Sequence, residues 1–133
     1  MIIGEQKMNR KLTSVSEYEA ITNTVANYIE ALRTGNIDIL ADSFHKDSVA
    51  YGTVGGKLVG GSSNPTIDFI KKYGKAPDLN VHIDVLDVTP SSAVVRIIAE
   101  KDAIGADSVE YQLLMKIAEG WTIVAKAFHE FEK

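Results

Sequence analysis

The stretch EGWTIVAKAFHEFEK, residues 119–133, places Lys126 and His129 in an otherwise apolar run. An amine in an apolar cavity attracts a carboxylate, a phosphate or an enolate, and burial lowers its pKa. A histidine exchanges protons near neutral pH. The two residues lie three apart, so on a regular strand they point to opposite faces of the sheet. We predict that Lys126 faces a ligand; a solvated Lys126 on an outer strand, or His129 in its place, remains the alternative.

The turn before this strand decides which residues accompany Lys126. A two-residue loop at Glu119–Gly120 pairs Ala118 with Trp121 and Leu113 with Lys126. In this register one face carries Tyr111, Leu113, Met115, Val124, Lys126 and Phe128. A three-residue loop shifts the pairing by one residue, turns Lys126 outward and places His129 with Tyr111 and Leu113. The segregation of apolar from polar residues slightly favours this second register.

Other polar residues have simpler explanations. His82 and Asp84 lie two apart on a predicted strand and resemble an acid–base pair, but we expect them on the outer face as an ion pair. His45 is expected in a turn. Three dispersed histidines and no cysteine make a metal site improbable, and the glycine pairs lack the strand-glycine-helix setting of a nucleotide site. No metal or cofactor is predicted.

These side chains must be positioned by helices that come first and strands that come last. Ser14 and Glu17 fit a capping box that opens a helix ending at Gly35. A short helix follows, and Asn64–Pro65 opens a third one, which ends at Gly74. The extended segments are 48–54, 57–59, 79–88, 93–101, 109–118 and 121–131. This order predicts an α+β fold with residues 1–13 as an arm and 14–133 as one domain.

The composition excludes several classes of protein. The chain of 133 residues carries 14 basic and 18 acidic residues without a basic stripe, so no nucleic-acid partner is expected. No run approaches the roughly 18 apolar residues of a membrane span, so no membrane partner is expected either. We do not expect the start MIIGEQKMNRKLTS to act as a signal peptide, because its apolar run is only three residues long. The predicted location is the cytoplasm.

The stretch ANYIEALRTGNIDILADSFHKDSVAYG, residues 26–52, resembles a helix, break, second helix and first strand of the nuclear transport factor 2-like superfamily. FHKDSVAYG, HIDVLDV, VVRI and GWTIVAKAFH are similar to its SnoaL-like branch labelled "putative lumazine-binding". The similarity spans residues 15–131. It implies a cystatin-like cone, in which three N-terminal helices pack in a strongly curved, mainly antiparallel sheet around a cavity. In relatives with a pocket, the ligand-facing side chains of the last strand correspond to Lys126 and Phe128. The resemblance therefore favours the two-residue loop, and this is the register that we predict.

The superfamily includes steroid isomerases, and their site residues are matched only in part. The tyrosine that donates to the oxyanion in those enzymes corresponds to Tyr28. Their general-base aspartate corresponds to Gly52, and their second, protonated aspartate falls close to Leu113. Isomerisation needs both a base and donors to the enolate, so the resemblance implies that this chain does not use that route.

We therefore predict a small-molecule binding domain whose ligand is apolar or aromatic with one anionic group. One alternative is an enzyme of the polyketide cyclase or isomerase type, in which Tyr28 donates to an enolate and Lys126 or His129 moves the proton. Another is a structural dimerisation module. The residues predicted to line the pocket are Tyr28, Tyr51, Tyr111, Leu113, Met115, Lys126 and Phe128.

The opposite face of the final hairpin would be too apolar to remain in contact with water. Such a patch is usually covered by a second copy of the chain. We predict a homodimer through this face, formed by Leu114, Trp121, Ile123, Ala125 and His129.

Overall fold

The computed structural model describes residues 13–61, 64–118 and 120–133. Helix α1 spans Val15–Thr34 and begins where the Ser14 hydroxyl accepts the Glu17 amide at 3.4 Å. It ends at Gly35, whose φ of 71° suits a residue without a Cβ. The predicted arm, residues 1–13, lies outside the described residues except for Thr13.

Two shorter helices complete the helical layer. Helix α2 spans Ile37–Asp42 and is capped by Asn36, whose side chain accepts the Ile39 amide at 3.1 Å. Helix α3 spans Pro65–Tyr73, and Asn64 caps it through the amides of its first turn. The proline at the first helical position removes an amide that would have no partner there. The N-caps predicted for the first and third helices, Ser14 and Asn64, are those that the structure uses, whereas Asn36 was not predicted.

The described part of the chain contains six strands: β1 (Phe44–Val54), β2 (Lys57–Gly60), β3 (Asn80–Val88), β4 (Ser92–Glu100), β5 (Ser108–Ile117) and β6 (Gly120–Glu130). They form one open, curved sheet in the order β2-β1-β6-β5-β4-β3. Among these strands only the β1–β6 pair is parallel, and every other neighbouring pair is antiparallel. The α+β prediction is confirmed.

The helices cover the concave face of this sheet and form the core with it. From α1, Ile21, Val25 and Ile29 are fully buried, because their spacing of four residues keeps them on one face of the helix. The inward residues of β4 alternate with partly exposed ones, as expected for a strand with one buried face. The remaining large core side chains include Leu40, Phe44, Ile70, Leu79, Val95, Ile97, Leu114, Trp121 and Ile123.

A β-bulge in β6 determines which side chains of that strand point into the fold. Leu114 pairs with Ile123 and Leu113 with Ala125, so Val124 is an extra residue without a partner on β5. An extra residue resets the alternation of faces. Ile123 and Lys126, although three apart, therefore both point inward.

The predicted hairpin register is wrong. Ile117 pairs with Gly120, so Gly120 belongs to the strand and not to the turn. Beyond the bulge Lys126 pairs with Gln112, which is the alternative register. His129 accordingly lies on the same face as Tyr111, but that face is the outer one.

One further expectation is corrected. Strand β1 begins at Phe44, so His45 lies in a strand and not in a turn. Its Nδ1 accepts the Asp47 amide at 3.1 Å. Within the described residues, no helix is long and apolar enough to span a membrane.

We expect Gly60→Ala to destabilise the β1–β2 hairpin. Gly60 has a φ of 116°, and a Cβ there would overlap the carbonyl oxygen of Ala50. Such a conformation costs a residue with a side chain about 1–3 kcal/mol before the overlap is counted. In chemical unfolding, Gly120→Ala is the control, because a Cβ at Gly120 meets no atom of the described chain within 4 Å. Equal midpoints for the two variants would contradict this account.

Candidate functional site

A cavity of about 370 Å³ lies between the concave face of the sheet and helices α1 and α3. Most of its wall is apolar, with Leu32, Phe69 and Leu79 among the residues that line it. Four buried polar side chains interrupt this apolar wall: Tyr28, Thr66, Glu110 and Lys126. A concave apolar site with a few converging polar groups is the usual form of a small-molecule site.

Lys126 is the centre of this polar group. Its Nζ donates to Tyr28 Oη at 2.8 Å and to Thr66 Oγ1, and it lies 3.4 Å from Glu110 Oε2. Tyr28 Oη in turn lies 3.2 Å from both carboxylate oxygens of Glu110 and donates to that group. The ammonium, the hydroxyl and the carboxylate thus contact one another at one point of the cavity wall.

Four separate elements bring these side chains together. Tyr28 lies on the buried face of α1, and Thr66 lies in the first turn of α3. Glu110 is on β5 and Lys126 on the neighbouring β6, where the bulge at Val124 turns the lysine inward. Because each residue comes from a different element, the site exists only in the folded chain.

Burial sets the electrostatics of Tyr28 and Lys126. Burial, followed by the negative charge of Glu110, raises the pKa of Tyr28 well above its usual value, so the hydroxyl stays protonated. Burial lowers the pKa of Lys126, while the adjacent Glu110 opposes that shift. The site therefore combines a permanent hydroxyl donor with an amine that loses its proton more readily than a surface lysine.

Two aromatic rings also face the lysine. Its Nζ lies 5.0 Å from the centre of the Phe128 ring and 5.3 Å from that of Tyr28, within the range of cation–π attraction. Gly52 makes room for Phe128, because a Cβ at that position would overlap the ring. Gly52, which corresponds to the general-base aspartate of the steroid isomerases, thus leaves space for the Phe128 ring in the cavity wall.

Gln112 stabilises the Glu110 carboxylate by a hydrogen bond. Its side chain is fully buried, and its Nε2 donates to Glu110 Oε2 at 3.0 Å. Glu110 therefore accepts from Tyr28 and Gln112 and lies beside the Lys126 charge. Three such partners offset the cost of burying a carboxylate.

The structure places three of the predicted residues, Tyr28, Lys126 and Phe128, around this cavity. The other four, Tyr51, Tyr111, Leu113 and Met115, lie on the opposite, outer face of the sheet, where each is exposed. Tyr111, Leu113 and Met115 were predicted to line the cavity because the predicted register places them on the same face as Lys126. On β5 the polar residues face inward instead.

The sequence-based prediction missed Thr66, Glu110 and Gln112. A signal for Glu110 was available, because a charged residue is almost never fully buried without a partner of opposite charge. An inward Lys126 therefore required an acidic residue on a neighbouring strand. The cavity thus holds a carboxylate, Glu110, at a position that corresponds to neither of the two isomerase aspartates.

Histidines are not part of this site. His129 is exposed and packs edge-on against Phe131, with ring centres 4.9 Å apart. His82 and Asp84 form the predicted ion pair on the outer face, with Nε2 and Oδ1 3.0 Å apart. Among the described residues, no group of three His, Cys, Asp or Glu side chains is arranged to hold a metal ion.

The predicted dimer face also changes. Leu114, Trp121 and Ile123 are buried in the core, because β6 turns them toward the helices. Ala125 and His129 remain on the outer face of the sheet. Their neighbours there are the exposed Val49, Tyr51, Tyr111, Leu113 and Met115, and we call these seven residues the outer patch.

Another part of the cavity is lined by two acidic residues, Asp102 and Glu130. Burial and the neighbouring Asp102 carboxyl raise the pKa of Glu130 from 4.5 to about 7, and Lys133 opposes this shift. In this interval the folded chain holds a proton that the unfolded chain has lost. Stability therefore falls as the pH rises from 4.5 to about 7.

We expect Glu130→Gln to flatten this part of the stability curve. A glutamine has no proton to lose, so the free energy of unfolding should depend less on pH in that window. Urea unfolding at several pH values measures this. The exposed Glu19 provides the control variant Glu19→Gln, which should keep the wild-type slope. An unchanged slope in Glu130→Gln would show that Glu130 is not the responsible group.

Comparison with known proteins places these features in a family. Residues 16–129 match the model of the family described as "Putative lumazine-binding". The chain is 32% identical to aldolase FrzH of a Cladobotryum species, over 95% of this chain and all of that protein.

Solved structures give the same assignment. An NTF2-like protein of unknown function from Methylobacillus flagellatus KT is 29% identical, with a TM-score of 0.83 over 90% of this chain and 96% of the other. A second, from Shewanella baltica OS155, is 25% identical, with a TM-score of 0.82 over 92% of this chain and all of the other. The chain belongs to the family described as "Putative lumazine-binding", within the nuclear transport factor 2-like superfamily.

Proposed function

We propose that this chain binds a small carbonyl compound in its cavity and removes a proton from the carbon next to the carbonyl group. The observation that supports this most strongly is the contact between Lys126, Tyr28 and Glu110. Together they supply two hydrogen-bond donors and one base, which are the groups that this reaction requires.

The two donors would act on the carbonyl oxygen of the substrate. Lys126 Nζ and Tyr28 Oη lie 2.8 Å apart, so one oxygen atom can reach both. As the α-proton leaves, negative charge moves onto that oxygen, and donors in a water-poor cavity stabilise it strongly. The α-proton moves to Glu110, whose carboxylate lies 3.4 Å from the amine.

The charge of the site favours a neutral ligand. Glu110 already balances the charge of Lys126, so an anionic ligand would face a carboxylate as well as an ammonium. We therefore replace the anionic group of the sequence-based prediction with a neutral carbonyl. The apolar wall, including Leu32, Phe69 and Phe128, suits an aliphatic or aromatic substituent on it.

The aldolase relative supports the same class of reaction. An aldol reaction starts when a carbon next to a carbonyl loses a proton and becomes a nucleophile. The relative matches over 95% of this chain and over all of its own length. A second carbonyl compound or a second carbonyl of the same molecule would then accept the nucleophilic carbon.

We expect the protein to catalyse exchange of α-protons for deuterium in neutral ketones. Phenylacetone and 2-heptanone in D₂O, followed by proton NMR, provide an aromatic and an aliphatic probe. Glu110→Gln should slow the exchange by about 10²-fold or more, because the base is lost. Lys116→Met is the matched control, since Lys116 pairs with Glu17 outside the cavity. No exchange with either ketone, or full exchange in Glu110→Gln, would contradict the proposal.

A variant that loses only one charge carries a stability penalty of its own. Removing one member of a buried ion pair costs about 3–5 kcal/mol, because the other charge remains buried without a partner. The double variant Lys126→Met with Glu110→Gln removes both charges. It should be more stable than Lys126→Met alone but equally inactive, and this separates loss of chemistry from loss of folding.

We further propose that two copies of the chain pair through the outer patch. The rows Val49–Ala125–Leu113 and Tyr51–Ala127–Tyr111 run across three neighbouring strands, which makes the patch continuous. Leu113 and Tyr111 are 48% and 46% exposed, and they belong to a continuous apolar surface of the kind that marks an interaction site. A two-fold pairing would cover the patch with itself.

Light scattering during gel filtration should give twice the chain mass of 14.5 kDa. Leu113→Glu places a charge in the patch and should yield the monomer. Val15→Glu is the control, because Val15 is exposed on α1 and lies away from the sheet's outer face. A wild-type protein of monomer mass would contradict the proposed dimer.

A further inference from the structure

Lys126 differs from the other lysine of the cavity in its surroundings. Lys72 lines the rim and is exposed, whereas the side chain of Lys126 is only 6% exposed and is held on three sides. We propose that the Lys126 amine bonds covalently to the substrate's carbonyl carbon as a Schiff base, with Glu110 carrying the protons. This inference rests on the proposed function and changes one step of it: the Lys126 amine would bond to the carbonyl carbon instead of donating to the carbonyl oxygen.

The amine must first become neutral, because an ammonium has no electron pair to donate. Each of its three protons has an acceptor in the resting site: Tyr28 Oη, Thr66 Oγ1 and Glu110 Oε2. Only Glu110 among these three is a base. Transfer of one proton to Glu110 replaces a buried ion pair with a neutral pair, which a ligand that expels water from the cavity favours.

The covalent step then balances as follows. The neutral amine adds to the carbonyl carbon, and one proton of the nitrogen moves to the former carbonyl oxygen to give a neutral carbinolamine. The hydroxyl leaves as water with the proton held by Glu110, and a cationic iminium remains on Lys126. The Glu110 carboxylate formed in this step then removes the α-proton, which converts the iminium to a neutral enamine.

The surroundings of Nζ suit a positive charge on this nitrogen, first as the ammonium and later as the iminium. The rings of Phe128 and Tyr28 lie 5.0 and 5.3 Å from Nζ and stabilise a cation of either kind, ammonium or iminium. The Glu110 carboxylate balances that charge from 3.4 Å. Tyr28, which stays protonated, supplies a donor to the oxygen while the carbinolamine forms.

Thr66 and Gln112 fix the two reacting groups. Thr66 Oγ1 holds Lys126 Nζ from α3, and Gln112 Nε2 holds Glu110 Oε2 at 3.0 Å. Both contacts come from buried side chains, so the amine and its proton acceptor keep their separation while a ligand enters. This preorganisation favours reaction over free motion of the lysine.

Reduction with sodium borohydride tests this directly, because it converts a Schiff base into a stable secondary amine. The protein is incubated with phenylacetone, reduced, and measured by intact mass and by peptide mapping. We expect one ketone per chain, on Lys126, with labelling at least about tenfold faster than at Lys72. Lys72→Met should label as the wild type does.

Lys126→Met lacks the amine and is the obvious variant for this test. If it does not fold, two other variants replace it. Lys126→Arg retains the charge beside Glu110 but has no nucleophilic amine, so it should not be labelled at this position. Glu110→Gln should slow labelling by about 10²-fold, since the proton acceptor is lost.

Labelling spread evenly over the surface lysines, with α-proton exchange retained, would overturn the covalent route and leave Lys126 as a hydrogen-bond donor only. Absence of both labelling and exchange would overturn the Schiff base together with the proposed function. The two failures are therefore distinguishable in one set of samples.

Discussion

The structure depends on one buried ion pair, Lys126 with Glu110. Removing two charges from water costs several kcal/mol for each ion, and the cost is offset only where additional hydrogen bonds complete the pair. Tyr28, Thr66 and Gln112 supply those hydrogen bonds from α1, α3 and β5. A core that only needed stability would be better served by apolar side chains of the same volume. The pair lines a cavity instead of filling the core, and this favours a chemical role over a structural one.

The bulge at Val124 makes this arrangement possible. Without it, an inward Ile123 would force Lys126 outward, because faces alternate along a regular strand. With it, β6 contributes apolar residues to the core near its start and polar or aromatic residues to the cavity near its end. One inserted residue thus separates the part of the sheet that stabilises the fold from the part that carries the site. Bulges next to functional sites commonly redirect a side chain in this way.

Much of the fold could be predicted from local signals. The caps at Ser14, Gly35 and Asn64–Pro65 mark helix ends through hydrogen bonds made within one turn. Tyr28 and the inward direction of Lys126 were also predicted. The register was not, because the run Ile-Val-Ala around Val124 contains no glycine or charge that would mark a bulge. The polar lining of the cavity was missed for a related reason: on β5 the more apolar set, which includes Tyr111 and Leu113, faces outward.

The most direct measurement is a crystal structure of the protein with bound phenylacetone. The account predicts the ketone inside the cavity, with its carbonyl group either bonded to Lys126 Nζ or within about 3.2 Å of it and of Tyr28 Oη, the range of a hydrogen bond. The carbon next to the carbonyl should face Glu110. A ketone bound elsewhere, or bound in the cavity with its carbonyl turned away from Lys126 and Tyr28, would contradict the account.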